Sequence, residues 1–85
     1  MKFKVNDKVM VIKKIESLSD GWEGEWVSGM DKHIGKEYVI RMCGGVYGYL
    51  LSTLSNGTII YWFPETALEL SVAMPIYNKF EVIAL

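Results

Sequence analysis

Apolar and β-branched residues come in short runs along this chain, each too short for a globular helix. KVMVIKKI (8–15) reads as a first strand, with Val9 and Val11 in the core. Asn6-Asp7 ahead of it is turn chemistry, since both residues tolerate unusual backbone angles. KEYVIRM (36–42) reads as a second strand, supplying Tyr38 and Ile40 to the core. VYGYLLSTL (46–54) and TIIYWF (58–63) read as a third and a fourth, and a short fifth lies near Leu68–Leu70. Tyr61, Phe63 and Leu68 are further expected core residues. Gly44-Gly45 makes a tight turn, and Gly48 marks either a bulge or a close backbone approach. Asn56-Gly57 between two β-rich runs is the strongest hairpin signal. Pro64 stops the fourth strand, and PETALEL gives one helical turn before the fifth.

Two stretches depart from this pattern. ESLSDGWEGEW (16–26) is a polar, Gly-rich loop, and long loops in compact domains are often functional. It runs into EWVSGMDKHIGK (25–36), where Trp26, Met30 and Ile34 stand four apart, the spacing of one helical face. Ser28 can cap such a turn, Asp31 resembles the acidic arm of a capping box, and Gly35 suits the left-handed position after a helix end. The sequence therefore predicts that Met30 and Ile34 close one end of the fold, with Trp26 packed over them. The competing reading is that the same face grips a ligand.

Short strands, tight turns, one long first loop and a single turn before the last strand predict an all-β fold. The order fits a small Src-homology-3-like barrel of five strands over residues 1–70. The segment 71–85, SVAMPIYNKFEVIAL, exceeds what that barrel needs. Its apolar residues Ile76, Tyr77, Phe80, Val82 and Ile83 predict either an extra strand packed on the same barrel or a self-association segment.

Glu25-Trp26, Met30 and Ile34-Gly35-Lys36 ahead of a strand, followed by Trp62-Phe63-Pro64 and Leu68, resemble the Src-homology-3-like repeats of mind bomb-type ubiquitin ligases. The opening KFKVNDKV and the closing WFPETALEL are also similar to small barrels encoded by bacteriophages and other viruses. The resemblance covers roughly residues 3–70. It departs at Asn6, where glycine is usual, in the Pro-to-Leu spacing, and after residue 70. It implies binding of peptide segments and, through the phage-like proteins, an accessory protein that blocks a host defence factor. No ligase domain is present, so it does not imply ubiquitin transfer.

Composition narrows the function classes. The chain has 85 residues, enough for one domain, which buries only about 60–65% of its unfolded surface. Yet 51% of its residues are apolar and 13% aromatic, so some aromatics are expected at the surface, where apolar patches mark binding. The net charge of −1 gives no general attraction for nucleic acid. Lys2, Lys4, Lys8, Lys13 and Lys14 read as a solvated face. Cys43 is the only cysteine, which excludes an intrachain disulfide and predicts a reducing, cytoplasmic setting. Cys43 and His33 are too few for a structural zinc, and no metal or cofactor is expected. Neither a signal peptide nor a membrane span is expected.

Nothing reads as an enzyme. Asp31 and His33, two apart on a helical turn, point to different faces. His33 is expected to be exposed and Cys43 to fill a small apolar space. Glu23 and Glu25 read as a solvated edge, and GWEG and GGVYG lack the context of a phosphate cradle. The expected function is docking of a protein or peptide on Trp22, Trp26, Tyr47, Tyr49 and Trp62, since aromatics dominate interface hot spots. Trp22, flanked by Asp20, Gly21, Glu23 and Gly24, is the residue expected to be most exposed. Strand alternation in YWF puts Trp62 opposite Tyr61 and Phe63, so Trp62 either faces solvent or packs under the first loop or the tail. The alternatives are nucleic-acid binding and a self-assembling structural or ligand-sequestering protein that forms a homo-oligomer.

Overall fold

The computed structural model describes residues 2–18 and 21–71. Five strands form one antiparallel sheet: β1 (Lys8–Val11), β2 (Glu37–Cys43), β3 (Tyr49–Ser52), β4 (Ile59–Phe63) and β5 (Leu68–Leu70). Their order is β4-β3-β2-β1-β5. The first four run as an up-and-down meander, and β5 returns to lie beside β1 in antiparallel register, with Val9 opposite Leu70 and Val11 opposite Leu68. The all-β expectation holds. The sheet, however, does not close: among the described residues no ladder joins β4 to β5. Register shifts between Ile40 and Met42 of β2 and between Ile59 and Trp62 of β4 each put an extra residue in that strand of the pair, which bends it.

Period-2 alternation places the core. Val9, Val11, Tyr38, Ile40, Tyr49, Leu51, Phe63 and Leu68 are all buried, and Lys8 and Met10, which alternate with the first two, are only half-buried. Phe3 completes the core beside Tyr49, with ring centroids 5.4 Å apart in an edge-on arrangement.

The helical segment Ser28–His33 is a 3-10 helix, and this changes which residues it buries. With three residues per turn, side chains three apart eclipse. Met30 and His33 therefore share the inner face and are buried, whereas Ile34, expected in the core, is 38% exposed. Ser28 does not cap the helix. Val27 holds that position, and its N–H donates to Met30 Sδ at 3.3 Å. Gly35 is left-handed as expected, at φ +87°, and its N–H donates to Val11 O at 2.7 Å, tying the helix end to β1.

Other boundaries differ by local chemistry. Residues 45–47 are a 3-10 turn, so β3 begins only at Tyr49. Gly48 marks a close approach: at φ +93°, an added Cβ would lie 2.1 Å from Phe63 O. The β3–β4 connection is not a two-residue hairpin. Thr53 N–H donates to Thr58 O at 2.9 Å around a four-residue loop in which Gly57 is left-handed. Asn56 instead uses its Oδ1 to accept from Thr53 Oγ1 at 2.6 Å and Thr58 N–H at 3.1 Å, knitting the loop together. Ile76, Tyr77, Phe80, Val82 and Ile83 lie outside the described residues.

Candidate functional site: an aromatic groove between the first loop and the sheet edge

The long first loop folds back on the turn before β3. Leu18 N–H donates to Gly24 O at 3.0 Å, and Glu23 N–H donates to Val46 O at 2.7 Å. These main-chain bonds carry Trp22 inward, and its Nε1–H donates to Tyr47 O at 2.9 Å. Trp22 is thus 3% exposed, contrary to the expectation that it stands most open to solvent. The flanking glycines, read as signs of an exposed loop, leave room for the ring: a Cβ on Gly24 would lie 2.5 Å from the indole.

Trp26 and Tyr49, expected to meet a partner, are buried as well. Trp26 stacks edge-on against Phe63 with centroids 5.5 Å apart, and its Nε1–H donates to Asp31 Oδ1 at 2.7 Å. Asp31, read as a capping arm, instead satisfies this indole, which otherwise lacks a partner at its polar corner. Tyr49 is 1% exposed. Its hydroxyl accepts from Phe3 N–H at 3.3 Å and donates to Glu65 Oε1 at 3.1 Å. Burial pushes the Tyr49 phenol above its ordinary pKa, with the neighbouring Glu65 adding to the rise. Both aromatics hold the fold together and are removed from the candidate surface.

What remains is a groove of about 390 Å³. Trp22, Gly24, Glu25 and Val27 of the first loop form one side. Tyr47, from the turn before β3, and Tyr61 and Trp62, from β4, form the other, with Met30 also in the wall. Of the aromatics expected at a binding surface, Trp22, Tyr47 and Trp62 come together here. Tyr47 is the most open at 55% exposed, and Trp62 is half-buried. Both readings of Trp62 are partly met, because it faces the groove and packs at the same time.

Three of these rings are seated on glycines. Trp22 lies over Gly24, the Tyr61 hydroxyl comes within 2.5 Å of where a Cβ on Gly29 would stand, and Trp62 does the same at Gly44. Sequence reading missed this, although each glycine stands in a loop or turn that already carried the aromatic signal. Among the described residues Glu25 is the only charged one in the wall, and no lysine or arginine lines it.

Tyr61 connects the groove to a buried aromatic cluster. His33, expected at the surface, is 8% exposed and packs edge-on against Tyr38, Tyr61 and Phe63. Its Nδ1 is hydrogen-bonded to the Tyr38 hydroxyl. Burial holds the His33 pKa below its ordinary value, and the charges of Lys32 and Lys36 lower it further. Burial raises the Tyr38 pKa.

Cys43 is half-buried against the core, with Sγ 3.8 Å from Phe3 O. Among the described residues, no three of His, Cys, Asp and Glu gather as metal ligands, and no helix is long and apolar enough to cross a membrane. A second cavity of about 280 Å³ lies on the far side of Trp22, bounded by Val46, Tyr49, Pro64 and Glu65 among others. No protein-family model, curated protein or solved structure matches this chain.

Proposed function

We propose that the chain is a non-enzymatic binding module, built on a Src-homology-3-like frame, that docks a protein or peptide segment in the groove. One observation carries this reading: aromatic side chains from the first loop, the turn before β3 and the edge strand β4 converge on a single apolar groove. Aromatics offer large contact area at little rotamer cost, and a concave, pre-formed apolar site is where such contact is most effective. The strand order, with β5 returning beside β1, supports the frame. The groove wall, which among the described residues holds a carboxylate and no cation, weighs against nucleic acid, whose backbone needs basic contacts. The free Cys43 favours a reducing, cytoplasmic setting.

The test is affinity capture of partners by the wild-type chain, followed by direct titration of the purified partner. Tyr47→Ala and Trp62→Ala are compared in parallel, with folding of each confirmed by near-ultraviolet circular dichroism. Loss of binding by at least about tenfold in both folded variants supports the groove. Binding unchanged in both sinks it.

A further inference from the structure

We propose that the groove recognises a methylated lysine side chain of its protein partner. This inference rests on the binding reading above and names the group that reading leaves open. Three features of the wall converge on it. First, the rings of Tyr47, Tyr61 and Trp62 border one cavity, to which the nearly buried Trp22 adds only a margin, and aromatic faces attract a cation through the ring quadrupole. Second, the only charged wall residue among the described residues is the exposed Glu25, whose carboxylate complements a positive charge and repels a negative one. Third, three of the rings occupy space that glycines leave free, so their arrangement is largely set before a ligand arrives.

The chemistry of the wall selects among cations. An arginine brings five N–H donors and a primary ammonium three, each of which needs an acceptor when it leaves water. The wall offers little beyond Glu25 and the tyrosine hydroxyls. The Tyr47 carbonyl already accepts from Trp22 Nε1–H, and Trp22 has no other polar atom in its side chain. Methylation removes those donors and weakens hydration while leaving the charge. Such a head group exchanges its water for ring faces at least cost. The aliphatic stem of the lysine then lies along Val27.

The experiment titrates the intact chain with three probes and follows the backbone amide and indole N–H resonances. The probes are Nα-acetyl-trimethyllysine methylamide, its neutral analogue with carbon in place of the ammonium nitrogen, and the unmethylated lysine derivative. The expected result is that the trimethylated probe binds about tenfold tighter than either of the others, with shifts centred on residues 22–30, 47, 61 and 62. Glu25→Gln should weaken the trimethylated probe several-fold and leave the neutral analogue unchanged. Tyr47→Ala, at an open position, should weaken the trimethylated probe without loss of fold. Equal affinity for the neutral analogue, or no response to any probe, overturns the assignment of a methylated lysine. Partner binding that still depends on Tyr47 and Trp62 would in that case leave the binding module standing, whereas loss of both results would remove it as well.

Discussion

A β-carbon on Gly44 would lie 2.5 Å from Cζ3 of Trp62, so the indole on β4 occupies space that exists only because residue 44 has no side chain. Gly44 itself has a negative φ, at φ −119° and ψ 27°, outside the left-handed region that favours glycine. Its glycine therefore serves the ring rather than the turn. Gly44→Ala should displace the outer edge of Trp62 while costing only about 1 kcal/mol of stability. The check is Trp fluorescence together with groove affinity in a variant whose melting temperature stays near that of the parent. An unmoved emission spectrum with unchanged affinity would mean the ring does not depend on Gly44.

Gly48 makes the opposite prediction. Its φ of +93° strains any L-residue, and the added Cβ would meet a backbone oxygen, that of Phe63, which has no rotamer to escape into. Gly48→Ala should destabilise by about 3 kcal/mol or more. Urea unfolding of the two alanine variants side by side tests the contrast. Similar midpoints would refute it.

Met30 anchors the 3-10 helix from inside. It is 1% exposed, and its sulfur accepts the Val27 N–H. Met30→Ala should cost about 2–4 kcal/mol, the usual loss for truncating a fully buried large side chain. Ile34→Ala, four residues on and partly in water, should cost less than about 1 kcal/mol. Chemical denaturation of both variants gives the comparison, and equal losses would contradict the three-residue periodicity of the helix.

His33 makes stability depend on pH in one direction. Its folded pKa lies below the unfolded value near 6.5, so the unfolded chain binds the proton more readily. The stabilisation is complete above about pH 6.5 and declines as pH falls toward the folded pKa. Unfolding free energy measured from pH 7.5 to 5, before carboxylates titrate, should fall through this window. His33→Gln should flatten the decline. A wild-type curve that is level from 7 to 5 would show that His33 titrates normally.

The strands were legible because a half-buried strand writes its two faces into alternate positions, as Val9 and Val11 do beside Lys8 and Met10. Tyr38, Ile40, Phe63 and Leu68 followed the same rule. The 3-10 helix was misread because spacings of three and four look alike over one turn. His33 went inside and Ile34 outside once the tighter period applied. Trp22 and Tyr49 were misplaced for another reason. Their burial depends on partners distant in sequence, the Tyr47 carbonyl for one and Phe3 with Glu65 for the other, and no local pattern encodes those meetings. The groove was half visible. Its aromatics were identifiable as surplus, but the glycines beneath them read as turn residues only.

Two of the bonds that clamp the first loop run from main chain to main chain, Leu18 to Gly24 and Glu23 to Val46, and the others use the side chains of Ser17 and Trp22. The two main-chain bonds do not depend on which side chains stand at the loop's outward positions. Glu23, Glu25 and Val27 all point a substantial surface outward, and none supplies its side chain to the clamp. Those three positions form a replaceable facing on a fixed frame. Substitutions there change the surface that the loop displays and leave those two bonds untouched.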